Sequence, residues 1–150
     1  MKIEKFNKAA DILFNSRINL NRIAKLPRDC TPKNNKEAYT IQNALVDKYL
    51  LANKKNIVIG MKIGCTNKEA QVQLNINEPF YGNIFSFYSS KSNCSLNITE
   101  FFKPFIEPEF SFKINKKLDI SKAPYTYEAV YKSIDLVLPS IEIVDSRFED

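Results

Sequence analysis

Histidine is absent from this 150-residue chain, and its absence removes several common kinds of catalytic site. Without imidazole there is no histidine general base, no Ser-His or Cys-His nucleophilic pair and no imidazole ligand for a metal ion. Any metal ion that this chain binds must therefore be held by oxygen atoms.

Cysteine is scarce, and its three positions, Cys30, Cys65 and Cys94, are far apart in the sequence. An odd number of cysteines without paired spacing fits neither a disulfide framework nor a thiolate zinc site. We therefore expect three reduced thiols.

Long apolar runs and concentrated basic stretches are also missing. No apolar run approaches the length of a membrane span, and the amino terminus mixes charges into its apolar residues. The net charge is +5, but the basic residues are scattered rather than gathered into a stripe with interleaved aromatic residues. We expect a cytoplasmic protein with neither a membrane nor a nucleic acid as its partner.

Two amphipathic helices are predicted in the first part of the chain. Apolar residues recur at three- and four-residue steps over residues 3–20 and again over residues 38–49. Residues 26–32, with two prolines, predict a loop between them, and the second helix is expected to begin within residues 34–37.

Strand patterns dominate after about residue 55. A β-branched segment at residues 56–64 predicts a strand that carries Lys62 near its end, and Thr66 with Glu69 forms a capping box for a short helix. We further expect a turn at 77–82, strands at 84–88, 105–114 and 136–144, and a brief helix capped by Thr126. The fold class is therefore α+β, with a helical region at residues 1–55 and a β-rich region at residues 56–150.

Glu107 and Glu109 lie two residues apart in an apolar, aromatic stretch where ionised side chains are costly to bury. In an extended strand such residues point to the same face, about 6 to 7 Å apart, so both could reach one small divalent cation. A further candidate ligand, Glu142, lies in a second apolar run. On spacing alone, two exposed carboxylates on the wet face of an amphipathic strand are the more frequent arrangement.

Five short segments carry a resemblance to a known family when they are taken in order: GMKIGCT at 60–66, QVQL at 71–74, EPFYG at 78–82, EPEF at 107–110 and PSIEIVDSR at 139–147. Their order and spacing resemble the 2-keto-4-pentenoate hydratase and 4-oxalocrotonate decarboxylase branch of the fumarylacetoacetate hydrolase superfamily. The resemblance extends over nearly the whole chain, and its most specific parts are the EPE and EIVDSR segments.

The resemblance implies part of a mixed β-roll that holds one Mg²⁺ or Mn²⁺ ion through Glu107, Glu109 and Glu142. It also implies that Lys62 is the active-site lysine, which binds the substrate carboxylate or assists proton transfer. From its pattern alone, Lys62 is more typical of a residue that extends its ammonium group into solvent at a strand end. Asp145 and Arg147 are more typical of a structural bridge than of a catalytic pair.

The implied activity is metal-dependent hydration of a small 2-hydroxydienoic or 2-oxo acid in aromatic catabolism, by a homo-oligomer in the complete protein. Decarboxylation of the 4-oxalocrotonate type is the alternative within the branch. Phe80 stands where hydratases of the branch often carry an aspartate, which removes one candidate group for activating water. Family members continue past residue 150, so the chain is also expected to be a truncated, inactive remnant or a split-gene fragment. Hydrolysis of a carbon-carbon bond is disfavoured because those hydrolases typically use a histidine base.

Overall fold

A computed structural model describes residues 2–149 as a mixture of helices and short antiparallel sheets. The α-helices are α1 (Lys2–Ile18), α2 (Asn35–Ala52), α3 (Lys68–Gln73) and α4 (Tyr127–Tyr131), and the strands are β1 (Val58–Gly64), β2 (Phe80–Phe85), β3 (Phe105–Ile114) and β4 (Ile134–Val144). The α+β class with a helical lead-in is confirmed.

Contacts within the chain define two compact units. The first unit contains Met1–Glu100 and Arg147–Asp150, and the second contains Phe101–Ser146. The first therefore holds α1 to α3 with β1 and β2, and the second holds β3, α4 and β4. The sequence-based division at residue 55 follows composition rather than contacts, and it stays a prediction.

The helical lead-in owes its core to α1 and α2. Ala9 and Ala10 of α1, Ile41 of α2 and Cys30 of the loop between them are buried together. Phe6 and Leu13 are among the apolar side chains packed against this core. The small alanines let the two helices approach closely, while the flanking larger residues supply most of the buried apolar surface. The two predicted helices are thus confirmed, as is the start of α2, where Asn34 accepts a hydrogen bond of 3.0 Å from the Glu37 amide.

A cluster of aromatic rings surrounds Tyr49 near the end of α2. Its side chain is 3% exposed, and its ring centroid lies 5.2 Å from those of both Phe14 and Phe85 and 6.0 Å from that of Tyr88. Such centroid distances are typical of favourable aromatic pairs. The cluster therefore links α1, α2 and the end of β2 within the first unit.

Several boundaries differ from the sequence-based predictions. Asn67, not Thr66, caps α3, because its side-chain oxygen accepts the Ala70 amide at 2.8 Å. Residues 84–88 were expected to form one strand, but β2 ends at Phe85 and Ser86–Tyr88 is a 3-10 turn. Pairing stops there because Val58, the first residue of β1, is the partner of Phe85. The helix capped by Thr126 is confirmed, with the Ala129 amide 3.2 Å from the Thr126 hydroxyl.

All three cysteines are free thiols in the structure, as expected from their spacing. Cys30 is buried, and its thiol lies 3.5 Å from the carbonyl oxygen of Pro27. None of the helices in residues 2–149 combines the length and apolarity needed to cross a membrane.

Tyr49 gives the first unit a predicted sensitivity to alkaline pH. Burial, and then the neighbouring Tyr88 phenol, raise the pKa of Tyr49 from 10.0 to about 12. The folded chain therefore keeps this phenol neutral over a range in which the unfolded chain ionises it. Its stabilising contribution is complete below pH 10 and is lost as the pH rises from 10 to about 12.

Urea unfolding at pH 9 and at pH 11.5 checks this expectation. Between these pH values the free energy of unfolding should fall more in the wild-type chain than in Tyr49→Phe. The difference between the two losses should be on the order of 2 kcal/mol. Tyr127→Phe is the matched control, because Tyr127 is 84% exposed. An equal loss in the wild type and in Tyr49→Phe would contradict the assignment.

Candidate metal centre

The second unit is built on a long antiparallel pair, β3 and β4. The pairing runs without interruption from Phe105, opposite Val144, to Lys113, opposite Leu136, and its register shifts only after Lys113. β-Branched and aromatic residues favour both strands, and pleating sends alternate side chains to opposite faces. Each face of this sheet therefore carries a set of residues defined by the register.

Glu107, Glu109 and Glu142 share one face of the β3–β4 sheet. Glu107 lies directly opposite Glu142 across the strands, and Glu109 follows Glu107 on the same side of β3. Carboxylate oxygens from all three residues lie within 4.8 Å of one another. Glu107 and Glu109 are exposed, and Glu142 is half-buried. The structure thus brings together the three carboxylates that the sequence indicates as ligands.

The donor set suits a hard cation. Oxygen ligands bind Ca²⁺ at about 2.3 to 2.6 Å, so two on opposite sides of the ion are separated by up to about 5 Å, and for Mg²⁺ by about 4.2 Å. The carboxylate oxygens, all within 4.8 Å of one another, are therefore close enough to share one divalent cation of this kind. Like charges directly opposite each other across a sheet repel, which gives the glutamates a reason to bind a cation.

Two serines extend the polar face beside the glutamates. Ser140 lies opposite Glu109, and the Ser111 hydroxyl donates a hydrogen bond of 2.8 Å to the Ser140 hydroxyl. Hydroxyl groups can hydrogen-bond to a carboxylate, to water or to a polar ligand. We did not predict these residues, although the two-residue spacing of 107, 109 and 111, and of 140 and 142, is visible in the sequence.

Asp145 connects the end of β4 to the segment that leads into β3, at the open end of the sheet. Its carboxylate, directly after β4, accepts hydrogen bonds from the backbone amides of Phe102 at 3.1 Å and Lys103 at 2.8 Å, just before β3 begins. Hydrogen bonds to an ionised acceptor are about twice as strong as neutral ones. The expected bridge was with Arg147 and stays a prediction, whereas these contacts of Asp145 hold the segment that precedes β3.

Lys62 lies in the first unit, on β1. It pairs with Gly82 of β2, and its side chain is half-buried on the same face as Gly60 and Gly64. A Cβ atom at Gly82 would lie 3.6 Å from Cγ of Lys62, so the lysine stem runs over that glycine. The three glutamates belong to the second unit, and the role of Lys62 beside them stays a prediction.

The turn that follows β1 is held by Gln71. Its side chain is 5% exposed and donates a hydrogen bond of 2.9 Å to the carbonyl oxygen of Cys65, a residue in the left-handed region with φ of 55°. A buried amide group requires such a partner. Gln71 therefore stabilises the sharp exit from the strand that carries Lys62.

Sequence comparison finds relatives that are about 30% identical to this chain. The 2-keto-4-pentenoate hydratase of Paraburkholderia xenovorans (strain LB400) is 32% identical over 124 residues, which are 82% of this chain and 45% of the relative. A 2-hydroxypent-2,4-dienoate hydratase of Pseudomonas putida is 31% identical over 115 residues, 76% of this chain and 50% of the relative. No protein-family model matches the chain.

Comparison with solved structures finds the same fold. The 4-oxalocrotonate decarboxylase from Pseudomonas putida G7, complexed with magnesium and adipate, gives a TM-score of 0.87 at 25% identity and covers 98% of this chain. The same enzyme complexed with calcium and acetate gives a TM-score of 0.86. The chain covers 54% of the magnesium-bound structure, and it likewise spans about half the length of the curated relatives that it matches.

The hydrogen bonds of Asp145 give a testable prediction about the sheet. Asp145→Asn should weaken both contacts to the segment before β3 and reduce stability by about 1 to 2 kcal/mol. The amides of Phe102 and Lys103 should then exchange their hydrogens faster, as measured by NMR. Asp135→Asn is the control, because the 2.7 Å ion pair of Asp135 with Lys113 is solvent-exposed and should change little. Unchanged exchange at both amides would contradict this role of Asp145.

Proposed function

We propose that the second unit of this chain binds a divalent metal ion for chemistry on a small 2-oxo acid. The premise is that the chain belongs to the 2-keto-4-pentenoate hydratase and 4-oxalocrotonate decarboxylase branch of the fumarylacetoacetate hydrolase superfamily. The observation that carries this proposal is the convergence of Glu107, Glu109 and Glu142 within 4.8 Å on one sheet face. The relatives solved with magnesium or with calcium support a divalent ion.

The three glutamates would hold the metal ion, and Lys62 would act on the substrate. When bound, a hard divalent cation supplies a Lewis acid that stabilises negative charge at the C2 oxygen of a 2-oxo acid. The ammonium group of Lys62 would bind the substrate carboxylate or hold the proton that is transferred to carbon during tautomerisation. Ser111 and Ser140 would provide hydroxyl groups beside the carboxylates.

Hydration is the leading activity for the complete protein, because hydratases are the relatives with 31% to 32% identity. Phe80 favours decarboxylation as the second candidate. A phenyl ring cannot activate water, as the aspartate often found at this position in hydratases could. Phe80 is a partly exposed residue of β2, and its ring carbons lie 2.7 Å from the position of a Cβ at Gly64. The decarboxylase relatives are 25% identical over 146 residues.

An assay with both substrate types separates the candidate activities. Loss of 2-hydroxypenta-2,4-dienoate absorbance would support hydration, and release of carbon dioxide from 4-oxalocrotonate would support decarboxylation. Neither activity from a folded, metal-binding chain would instead support the inactive-remnant alternative. The choice of Mg²⁺ or Mn²⁺, assembly into a homo-oligomer and a cytoplasmic location stay predictions.

Glu107→Gln should have opposite effects on metal affinity and on metal-free stability. It removes a ligand, so Mg²⁺ or Ca²⁺ affinity measured by calorimetry should fall at least tenfold. It also removes the repulsion across the Glu107–Glu142 pair, so the metal-free chain should become more stable by about 0.2 to 1 kcal/mol.

Glu128→Gln is the matched control for the metal measurement, since Glu128 is an exposed glutamate of the same unit, on α4. It should bind metal as the wild type does. Equal metal affinity in Glu107→Gln and Glu128→Gln would contradict the proposed centre.

Lys62→Met should weaken the binding of a carboxylate ligand and leave metal affinity unchanged. Adipate is a suitable probe, because it was bound together with magnesium in the solved decarboxylase. Loss of a charged hydrogen bond of about 1.5 to 3 kcal/mol corresponds to at least a tenfold loss of adipate affinity in the presence of Mg²⁺. Lys116→Met is the control, and equal adipate affinity in both variants would rule out this role of Lys62.

A further inference from the structure

A pocket of about 210 Å³ lies between α2 and the segment that leads into β2. Asn35, Tyr39 and Gln42, spaced about one helical turn apart, form its α2 side, and residues between 76 and 81 form the other side. All of them belong to the first unit, whereas the three glutamates of the candidate metal centre belong to the second. We propose that this pocket binds an aminopyrimidine, a flat ring with an amino group beside an unprotonated ring nitrogen.

Gln42 brings to the pocket a hydrogen-bond donor that has no acceptor. Its Nε2 atom is shielded from solvent and has no hydrogen-bond partner among the residues that the structure describes. A buried N–H group that stays unpaired costs free energy. Rotation about the last side-chain bond, which is soft in glutamine, can turn this N–H group toward the pocket that Gln42 lines. A ligand with an acceptor at this point therefore makes a hydrogen bond that the protein leaves unmade.

Glu78 offers an acceptor on the other side of the pocket. Asn35 donates a hydrogen bond of 2.7 Å to Oε1 of Glu78, which orients the carboxylate and leaves it further acceptor capacity. A carboxylate pairs well with the exocyclic amino group of cytosine. None of the described residues around the pocket is a lysine or an arginine, so an anionic group would meet Glu78 without a compensating cation. The ligand should therefore present a donor to Glu78 and carry no negative charge.

Two stacked tyrosines give the pocket a flat aromatic wall. The ring centroids of Tyr39 and Tyr81 are 4.5 Å apart with an angle of 15° between the rings, and the Tyr81 amide donates to the Tyr39 hydroxyl at 3.3 Å. Ile76, Pro79 and Phe80 add apolar surface to the lining. Nucleobases stack favourably on aromatic side chains. These walls therefore favour a flat heteroaromatic ring over an aliphatic chain.

The volume of the pocket limits the ligand to about one ring. A cavity of about 150 Å³ holds benzene, and pockets for drug-sized ligands begin at about 300 Å³. A pocket of about 210 Å³ thus accommodates one ring with a few substituents. Cytosine meets these requirements, because its N4 amino group can donate to Glu78 while its ring nitrogen N3 accepts from Gln42. Uracil has the same shape but carries a carbonyl oxygen in place of the amino group.

Titration of the 150-residue chain with cytosine and with uracil, followed by calorimetry, tests the pocket. We expect saturable one-to-one binding of cytosine. Uracil should bind at least tenfold more weakly, because its O4 atom would face the Glu78 carboxylate without a donor. Cytidine 5′-monophosphate should also bind more weakly than cytosine, because of its phosphate charge. A chelator is present throughout, so the result does not depend on the proposed metal centre.

Two variants locate the ligand, and a third is the control. Gln42→Met should weaken cytosine binding about tenfold without lowering the stability of the ligand-free chain, because it removes an unpaired donor. Gln73→Met should bind as the wild type does, since Gln73 is an exposed glutamine of α3 in the same unit. Glu78→Gln should reduce the preference for cytosine over uracil to about threefold or less, because an amide can both accept and donate.

Four results would overturn the proposal. The first is the absence of cytosine binding to the wild-type chain, and the second is equal affinity for cytosine and uracil. The third is an unchanged cytosine affinity in Gln42→Met. The fourth is tighter binding of cytidine 5′-monophosphate than of cytosine, because a phosphate group would then drive the interaction.

Discussion

The antiparallel register between β3 and β4 is the constraint on which the second unit depends. It sets Glu107 opposite Glu142 and thereby makes a cluster from residues 35 positions apart in the chain. The same register gathers eight apolar residues on the other side of the sheet. Asp145 holds this register at the open end, where it accepts the amides of Phe102 and Lys103. One pairing thus defines both faces of the sheet.

Much of the site could be predicted from local pattern, because pleating has a fixed period. The two-residue spacing of Glu107 and Glu109 was enough to place them on one face, and the predicted bounds of that strand, 105–114, coincide with β3. The cap of α3 and the end of β2 were predicted wrongly. Asn67 and Thr66 are both good caps, and the aromatic residues at 86–88 favour a strand that has no partner on β1.

Long-range features required the structure or the family resemblance. No local pattern states that Glu142 pairs with Glu107, since strand register depends on contacts that are distant in sequence. Sequence reasoning also treated the apolar character of the two strands as a reason to bury them, whereas Phe110 and Ile141 are exposed. The same arrangement occurs on β1, where Lys62 and two glycines are half-buried while Ile59, Met61 and Ile63 are exposed.

The strict alternation of the β3–β4 sheet also limits how this chain can change over evolutionary time. Inserting or deleting one residue within either strand would shift every later side chain to the opposite face. A glutamate would then join the apolar face of the sheet, and a phenylalanine would join the face that carries the carboxylates. Single substitutions can adjust either face separately, but a change in strand length by one residue would damage both at once. The spacing between residues 105 and 113 is therefore expected to tolerate substitutions far better than length changes.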